Sequence, residues 1–230
     1  MKYEQKDFQR VAEYYDDFLA SEPGKYSSFE EFEARYSPVL SYLKLATHPS
    51  KILDVGCGTG IAAEKLRVYG EVYGLDISPK SIDEAKRYSR CDKCYVGIAE
   101  ELPFSNNLFD VVVCTEVIEH LLDPIKALSE FNRVLLEGGI LIISTPNPWY
   151  WSVILNKIMA KLRRYQSTVT GQIVENFLSM RYLQNLLTEN GFEIIHFHTA
   201  YFKPKSLANI FMKINRNAGL YQIYICKKIS

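Results

Sequence analysis

Neither sign of charge is in excess in this chain of 230 residues: 27 Lys and Arg balance 27 Asp and Glu. The net charge therefore gives no reason to expect DNA or another polyanion as partner. No apolar run reaches the ~20 residues of a membrane-spanning helix. The opening, Met1 to Arg10, is polar and charged, unlike a secretory leader. A cytoplasmic protein is expected. Cysteine is scarce and odd in number, with five residues at 57, 91, 94, 114 and 226, which suits a reducing compartment better than a disulfide framework. Cys91 and Cys94 form a lone C-x-x-C. A structural zinc takes four ligands, and no second such pair exists, so no metal is expected there. Internal repeats and low-complexity tracts are also missing.

What is present suits a folded domain. Hydrophobic residues make up 47% and charged residues 23%, enough for a full core in one domain or one domain with an appendage. The balanced charge hides an uneven distribution. From Gly138 onward there are eleven Lys and Arg against three acids, Glu175, Glu189 and Glu193. The first 137 residues hold sixteen Lys and Arg against twenty-four acids. An anionic substrate or surface met by the C-terminal half would explain this.

The organising stretch is Lys51 to Gly60, KILDVGCGTG. Ile52, Leu53 and Val55 read as a buried strand of a parallel sheet. Asp54 interrupts them, and a carboxylate there needs a partner. Gly56, Gly58 and Gly60 permit a tight turn and close approach of backbone to a ligand. Thr59 is placed to cap a helix from about Ile61 to Tyr69, stopped at Gly70. A dinucleotide fingerprint would need Gly or Ala at position 61, and Ile61 is neither. An acid ahead of the glycines favours a ligand with a positive end. Glu71 to Asp76 reads as the second strand. It ends on an acid twenty positions after Gly56, where both hydroxyls of a ribose would be within its reach.

This spacing resembles the first motif of class I S-adenosylmethionine-dependent methyltransferases. DVGCGTG, GLDIS and AEELPF together make the resemblance specific, strongest over 51–147 and covering about 50–230. It implies S-adenosylmethionine as cofactor. Asp54, Gly56, Cys57, Gly58 and Gly60 would hold its amino-acid end and Asp76 its ribose. Ile77 and Ala99 would wall the adenine, with Glu100 and Thr115 nearby. In many members an Asp precedes this Ala and reads the adenine amino group. Here the residue is Ile98, so no carboxylate contact is expected from that position.

Residues 1 to 48 are helical in pattern and rich in aromatics, broken by Pro23-Gly24, with the second helix from about Ser28 to Leu45. They read equally as packing on the sheet or as a lid. In the resembled family a Tyr-Asp pair often sits in such a lid, and Tyr15-Asp16 is the match. Strand and helix then alternate. Ser78-Pro79 starts a helix reaching about Arg90. The third strand is expected over Cys94 to Ala99 and the fourth over Phe109 to Thr115. Asp123-Pro124 starts a helix to about Leu136, ended by Gly138-Gly139, before a fifth strand from Ile140 to Thr145.

Between them lies EVIEHLL, 116–122, at the sheet edge where ligands collect. If it begins a helix, Glu116, Glu119 and His120 share a face. Three readings stay open: His120 as general base, a divalent-metal site, or a capping role. The same letters resemble ubiquinone-pathway O-methyltransferases and small-RNA 2′-O-methyltransferases, where a metal has such ligands. The RNA enzymes add a histidine-rich segment after the fifth strand, and this chain has no histidine between 120 and 196. His120 is the expected base, and no metal is expected.

Residues 148–165, PWYWSVILNKIMAKLRRY, form a basic amphipathic pattern inside an insert at about 148–176. They suit either a pocket cover or contact with an anionic membrane surface. A helix over Ser179 to Asn190, a strand over Phe192 to Phe202, a basic connection and a last strand over Leu220 to Lys228 complete the chain. The expected fold is α/β: a Rossmann-like, seven-stranded, mostly parallel sheet with an antiparallel last strand, helices on both faces, and a 1–48 cap on a 49–230 domain. The resemblance implies methyl transfer, with O-methylation of a small, partly apolar molecule leading. An RNA methyltransferase is the nearest rival. A non-catalytic or membrane-associated protein that kept the fold is the third reading.

Overall fold

The computed structural model describes residues 3–21, 29–45, 51–148, 178–200 and 219–229. The amphipathic insert, the Pro23-Gly24 break and the basic connection before the last strand lie outside these residues.

Two helices, α1 (Gln5–Ser21) and α2 (Phe29–Leu45), precede an alternation of strands and helices. The strands are β1 (Lys51–Val55), β2 (Glu71–Asp76), β3 (Lys93–Val96), β4 (Phe109–Thr115) and β5 (Leu135–Pro146). Between them come α3 (Ile61–Leu66), α4 (Pro79–Arg87), a 3-10 turn over Ile118–His120 and α5 (Pro124–Val134). Helix α6 (Met180–Glu189), β6 (Phe192–Ala200) and β7 (Tyr221–Lys228) follow. The sheet has seven strands in the order β3-β2-β1-β4-β5-β7-β6. Neighbours from β3 through β5 pair in parallel, and β7 enters antiparallel to both β5 and β6. This is the expected architecture.

Successive strand residues face opposite sides, so one run of apolar residues feeds two cores. Leu53, Val112, Leu141 and Tyr224 pack on one face with Leu128 and Phe131 of α5 and Leu183 and Leu187 of α6. Ile52, Val111, Ile142 and Ile225 pack on the other with Val39 and Leu43 of α2 and Ala63 and Leu66 of α3. Burying each such large side chain contributes about 1.5–3 kcal/mol.

Several boundaries differ from expectation, each for a local reason. Thr59 does not cap α3. Gly60, left-handed at φ 82°, precedes the helix, and no side chain caps it. The helix stops at Leu66 instead of Tyr69. Helix α4 ends at Arg87 because Ser89 takes a left-handed φ of 50°. Strand β3 stops at Val96, since Ile98 turns away to bridge Glu101. Helix α5 ends at Val134 without a glycine stop. Leu135 is already extended and pairs with Phe109, so β5 begins there and Gly138, at φ 73°, sits inside it. Cys91 and Cys94 are joined as a disulfide from the turn after α4 to β3, a pairing the sequence reading did not make.

Candidate active site

A cavity of about 780 Å³ opens over the C-terminal ends of β1, β2 and β4. Every residue expected at the site except Asp54 and Gly60 lines it. The glycine turn forms its floor. The Gly56 and Cys57 amides donate to the Leu75 carbonyl at 2.7 and 3.1 Å, tying the turn to β2. Gly56 has φ 70°, and a Cβ there would lie 2.2 Å from Val117 Cγ2. At Gly58 a Cβ would meet nothing within 4 Å, so this backbone faces open space.

Asp76 stands across from the turn. Its Oδ2 accepts from the Gly58 amide at 2.8 Å and its Oδ1 from the Ser78 amide at 2.9 Å. Burial raises its pKa, and these two bonds oppose the rise. Each oxygen keeps a lone pair that a hydroxyl could use. Ile77 and Ala99 line the same end. Glu100 lines it too, but its Oε1 already accepts from the Leu122 and Asp123 amides at 3.0 and 3.2 Å. Its carboxylate therefore holds the chain that leads into α5.

Asp54 lies under the turn, 1% exposed, with Oδ2 buried and without a hydrogen-bond partner. Burial, then the nearby Asp76 charge, pushes its pKa up to about 8. A buried carboxyl of this kind is suited to an approaching cation.

The other end of the cavity is polar. Glu116 is not helical as expected: it takes φ 57°, a left-handed conformation that strains a side chain with a Cβ. The 3-10 turn begins after it, so the three residues do not share a helical face. Glu116 Oε1 accepts from Ser144 Oγ at 2.7 Å. Burial, then Glu119, pushes its pKa well up. His120 Nε2 lies 3.6 Å from Glu119 Oε1. The Tyr15 ring meets the His120 ring edge-on at 6.4 Å. Among the described residues, no group of three or more His, Cys, Asp and Glu side chains is arranged to hold a metal ion.

Sequence reasoning read α2 as packing or lid without singling out the residues by which it lines the cavity. Its Phe32 and Tyr36 rings stack at 4.5 Å and both line the cavity. The Tyr36 hydroxyl is hydrogen-bonded to Thr115 Oγ1 at the end of β4. Arg35 and Lys65 also reach the wall. The spacing of Phe32 and Tyr36 on one helical face was legible, but which wall they face was not.

A glycine turn after β1, an acid ending β2 and chemistry-bearing residues after β4, under this sheet order, define a class I nucleoside-binding site. Residues 53–143 match the family described as "Methyltransferase domain". A ubiquinone biosynthesis O-methyltransferase of Cereibacter sphaeroides is 36% identical over 42% of this chain and 41% of its own length. One from Rickettsia canadensis is 33% identical over 63% of each. An uncharacterized 37.1 kDa protein from Streptomyces fradiae is 29% identical over 72% of this chain and 50% of its own. The chain thus spans about half, or less, of the length of the first curated relatives it matches. Among solved structures, an S-adenosylmethionine-dependent methyltransferase of Thermotoga maritima superposes with a TM-score of 0.66 at 21% identity, covering 98% of this chain and 100% of the other. A Haloferax volcanii methyltransferase in complex with the Trm112 activator gives 0.69 at 17% identity, covering 96% and 98%. By these likenesses the chain is similar to class I S-adenosylmethionine-dependent methyltransferases, with residues 53–143 as the matched domain. Its cofactor is S-adenosylmethionine, and the residues fit that molecule. The open face at Gly58 leaves room for it, and the partnerless Asp54 oxygen suits its ammonium.

Among the described residues no helix is long and apolar enough to cross a membrane.

Proposed function

We propose that this protein catalyses transfer of the methyl group of S-adenosylmethionine to an oxygen of a small, partly apolar acceptor, with His120 removing the acceptor's proton. The observation that carries the reading is that His120 lines the same cavity as the glycine turn and Asp76, with Glu119 beside it. The cofactor brings a methyl group already activated on a sulfonium. The chain's task is then alignment and proton removal.

Asp76 accepts the ribose hydroxyls. Asp54, as the carboxylate, balances the ammonium through the turn. Arg35 and Lys65 are the cavity's cations for the carboxylate end. Ile77 and Ala99 exclude water around the adenine. Phe8, Phe32, Tyr15 and Tyr36 give the acceptor its apolar wall, and α1 with α2 closes the site as a lid. An imidazole titrates near neutrality, which suits a hydroxyl nucleophile. The O-methyltransferase names of the Cereibacter and Rickettsia relatives support oxygen as the acceptor atom.

The test is methylation of a panel of phenols, aliphatic alcohols and transfer RNA with labelled cofactor. A phenol or alcohol should be the acceptor, and His120→Ala should lower kcat by about 10²–10⁴-fold while S-adenosylhomocysteine still binds. Methylation of RNA alone would replace the small-molecule reading. Undiminished turnover of His120→Ala would remove the base.

A further inference from the structure

Helix α1 touches the domain at two places that belong to opposite ends of the cavity. At one end, Asp16 Oδ1 accepts from Ser78 Oγ at 2.5 Å and from the Lys80 amide at 3.3 Å. Lys80 Nζ returns a bond to the Asp16 carbonyl at 3.5 Å. Ser78 is fully buried, and its Oγ also accepts from the Ser81 amide at 3.0 Å. The head of α4 is therefore capped by two acids from different parts of the chain. The Ser78 amide goes to Asp76, and the Lys80 amide and Ser78 hydroxyl go to Asp16. A carboxylate beside such amides is favoured by their partial positive charge. At the other end, Phe8, Val11 and Tyr15, spaced along one face of α1, line the cavity, and Tyr15 meets His120.

We propose that Asp16 is a positioning residue that latches α1 onto the head of α4 and so makes closure over the acceptor end depend on a filled ribose end. The proposal rests on the reading of Asp76 as the ribose acid. Ser78 is the shared element: its amide serves Asp76 and its hydroxyl serves Asp16. The two carboxylates also repel. Burial first raises the Asp76 pKa, its amide bonds lower it, and the Asp16 charge adds to the rise. Hydroxyl donors arriving at Asp76 spread its charge and relieve that repulsion, which favours the latch. By reciprocity, a seated latch strengthens cofactor binding by the same factor. With α1 seated, Tyr15 packs against His120, next in sequence to the residue that holds the latch. Acceptor-side geometry is then set only after the cofactor is in place.

Hydrogen exchange of the full chain, with and without S-adenosylhomocysteine, tests this, together with its release rate. In the wild type the ligand should protect residues 56–60, 76–82 and 5–21. In Asp16→Ala it should still protect 56–60 and 76–82, but the added protection over 5–21 should vanish. Release should be about tenfold faster, within the usual range of coupling between sites. Asp16→Asn, which keeps the shape and loses the charge, should fall between. An Asp16 with only a structural role would change α1 exchange equally with and without ligand, and that result would overturn the latch. So would ligand protection of 56–60 and 76–82 in the wild type with none over 5–21. Absence of protection at 56–60 and 76–82 would overturn the cofactor reading itself, and the latch with it.

Discussion

The Gly58 amide and the Asp76 carboxylate, eighteen positions apart in sequence, meet at 2.8 Å and tie the glycine turn to the end of β2. Asp76→Ala should free that amide and the Ser78 amide, and remove the acceptor for ribose hydroxyls. Hydrogen bonds to a charged group contribute about 1.5–3 kcal/mol, so affinity for S-adenosylhomocysteine should fall by about 10- to 100-fold. Titration calorimetry reads this directly, and an unchanged affinity would refute the ribose assignment.

Two glycines of the same turn should respond differently to alanine. At position 56 the new methyl would sit 2.2 Å from Val117 Cγ2, on backbone at φ 70°. Gly56→Ala should cost at least about 2 kcal/mol of stability, a fall in Tm of about 5 °C or more. At position 58 the methyl meets nothing within 4 Å. Gly58→Ala should therefore cost only the left-handed backbone, about 1–2 kcal/mol, yet block the cofactor. Thermal melts and ligand titration of both variants separate folding from binding.

Asp54 predicts a pH dependence. Its pKa of about 8 in the folded chain lies above the ~3.9 of an unfolded one. Between those values the folded form holds a proton that the unfolded form has released. Stability of the ligand-free protein should therefore fall as pH rises through this window, and the buried Glu116 acts in the same direction. The ammonium of the cofactor favours ionised Asp54. Binding near pH 7 should then release protons, and affinity should climb as pH approaches the Asp54 pKa. Calorimetry in two buffers of different ionisation heat measures the release. Asp54→Asn should abolish it, and release that persists in the variant would point to another group.

Tyr36→Phe keeps the ring stacked on Phe32 and deletes the bond to Thr115. It should cost about 1 kcal/mol in urea denaturation. The cost should shrink in a Thr115→Val background, because the bond has already gone. Full additivity in that double-mutant cycle would mean the two hydroxyls do not interact.

Much of this was readable from the sequence wherever one local rule decided the outcome. The run ILDV and the glycines after it announced β1 and its turn. Ser78-Pro79 announced α4, whose cap is Ser78 as expected. The antiparallel last strand followed from resemblance. Element ends were less legible, because they depend on backbone angles the letters do not reveal. Ser89 ends α4 in a left-handed conformation that favours glycine, and Leu135 passes straight from helix to strand with glycines standing three residues on. Glu116 was misjudged for the same reason: EVIEHLL has a helical pattern, but its first residue turns the other way. The lid reading of 1–48 took in α2, but which of its residues meet the cavity was not legible, because that depends on where two long-range hydroxyls, those of Tyr36 and Thr115, find each other.

The position of β7 bears on how this sheet is made. β5 pairs with β7 across a long stretch of sequence, since Ile142 faces Ile225, and among the described strands β6 touches only β7. During synthesis the segment that separates them emerges last of the three. Until it arrives, the edge of β5 is open and β6 has no place in the sheet. The half that holds the nucleoside turn can assemble in chain order, while the other half must wait for a distant strand to thread between two earlier ones. A nascent chain halted before residue 221 would therefore offer β5 as a sticky edge.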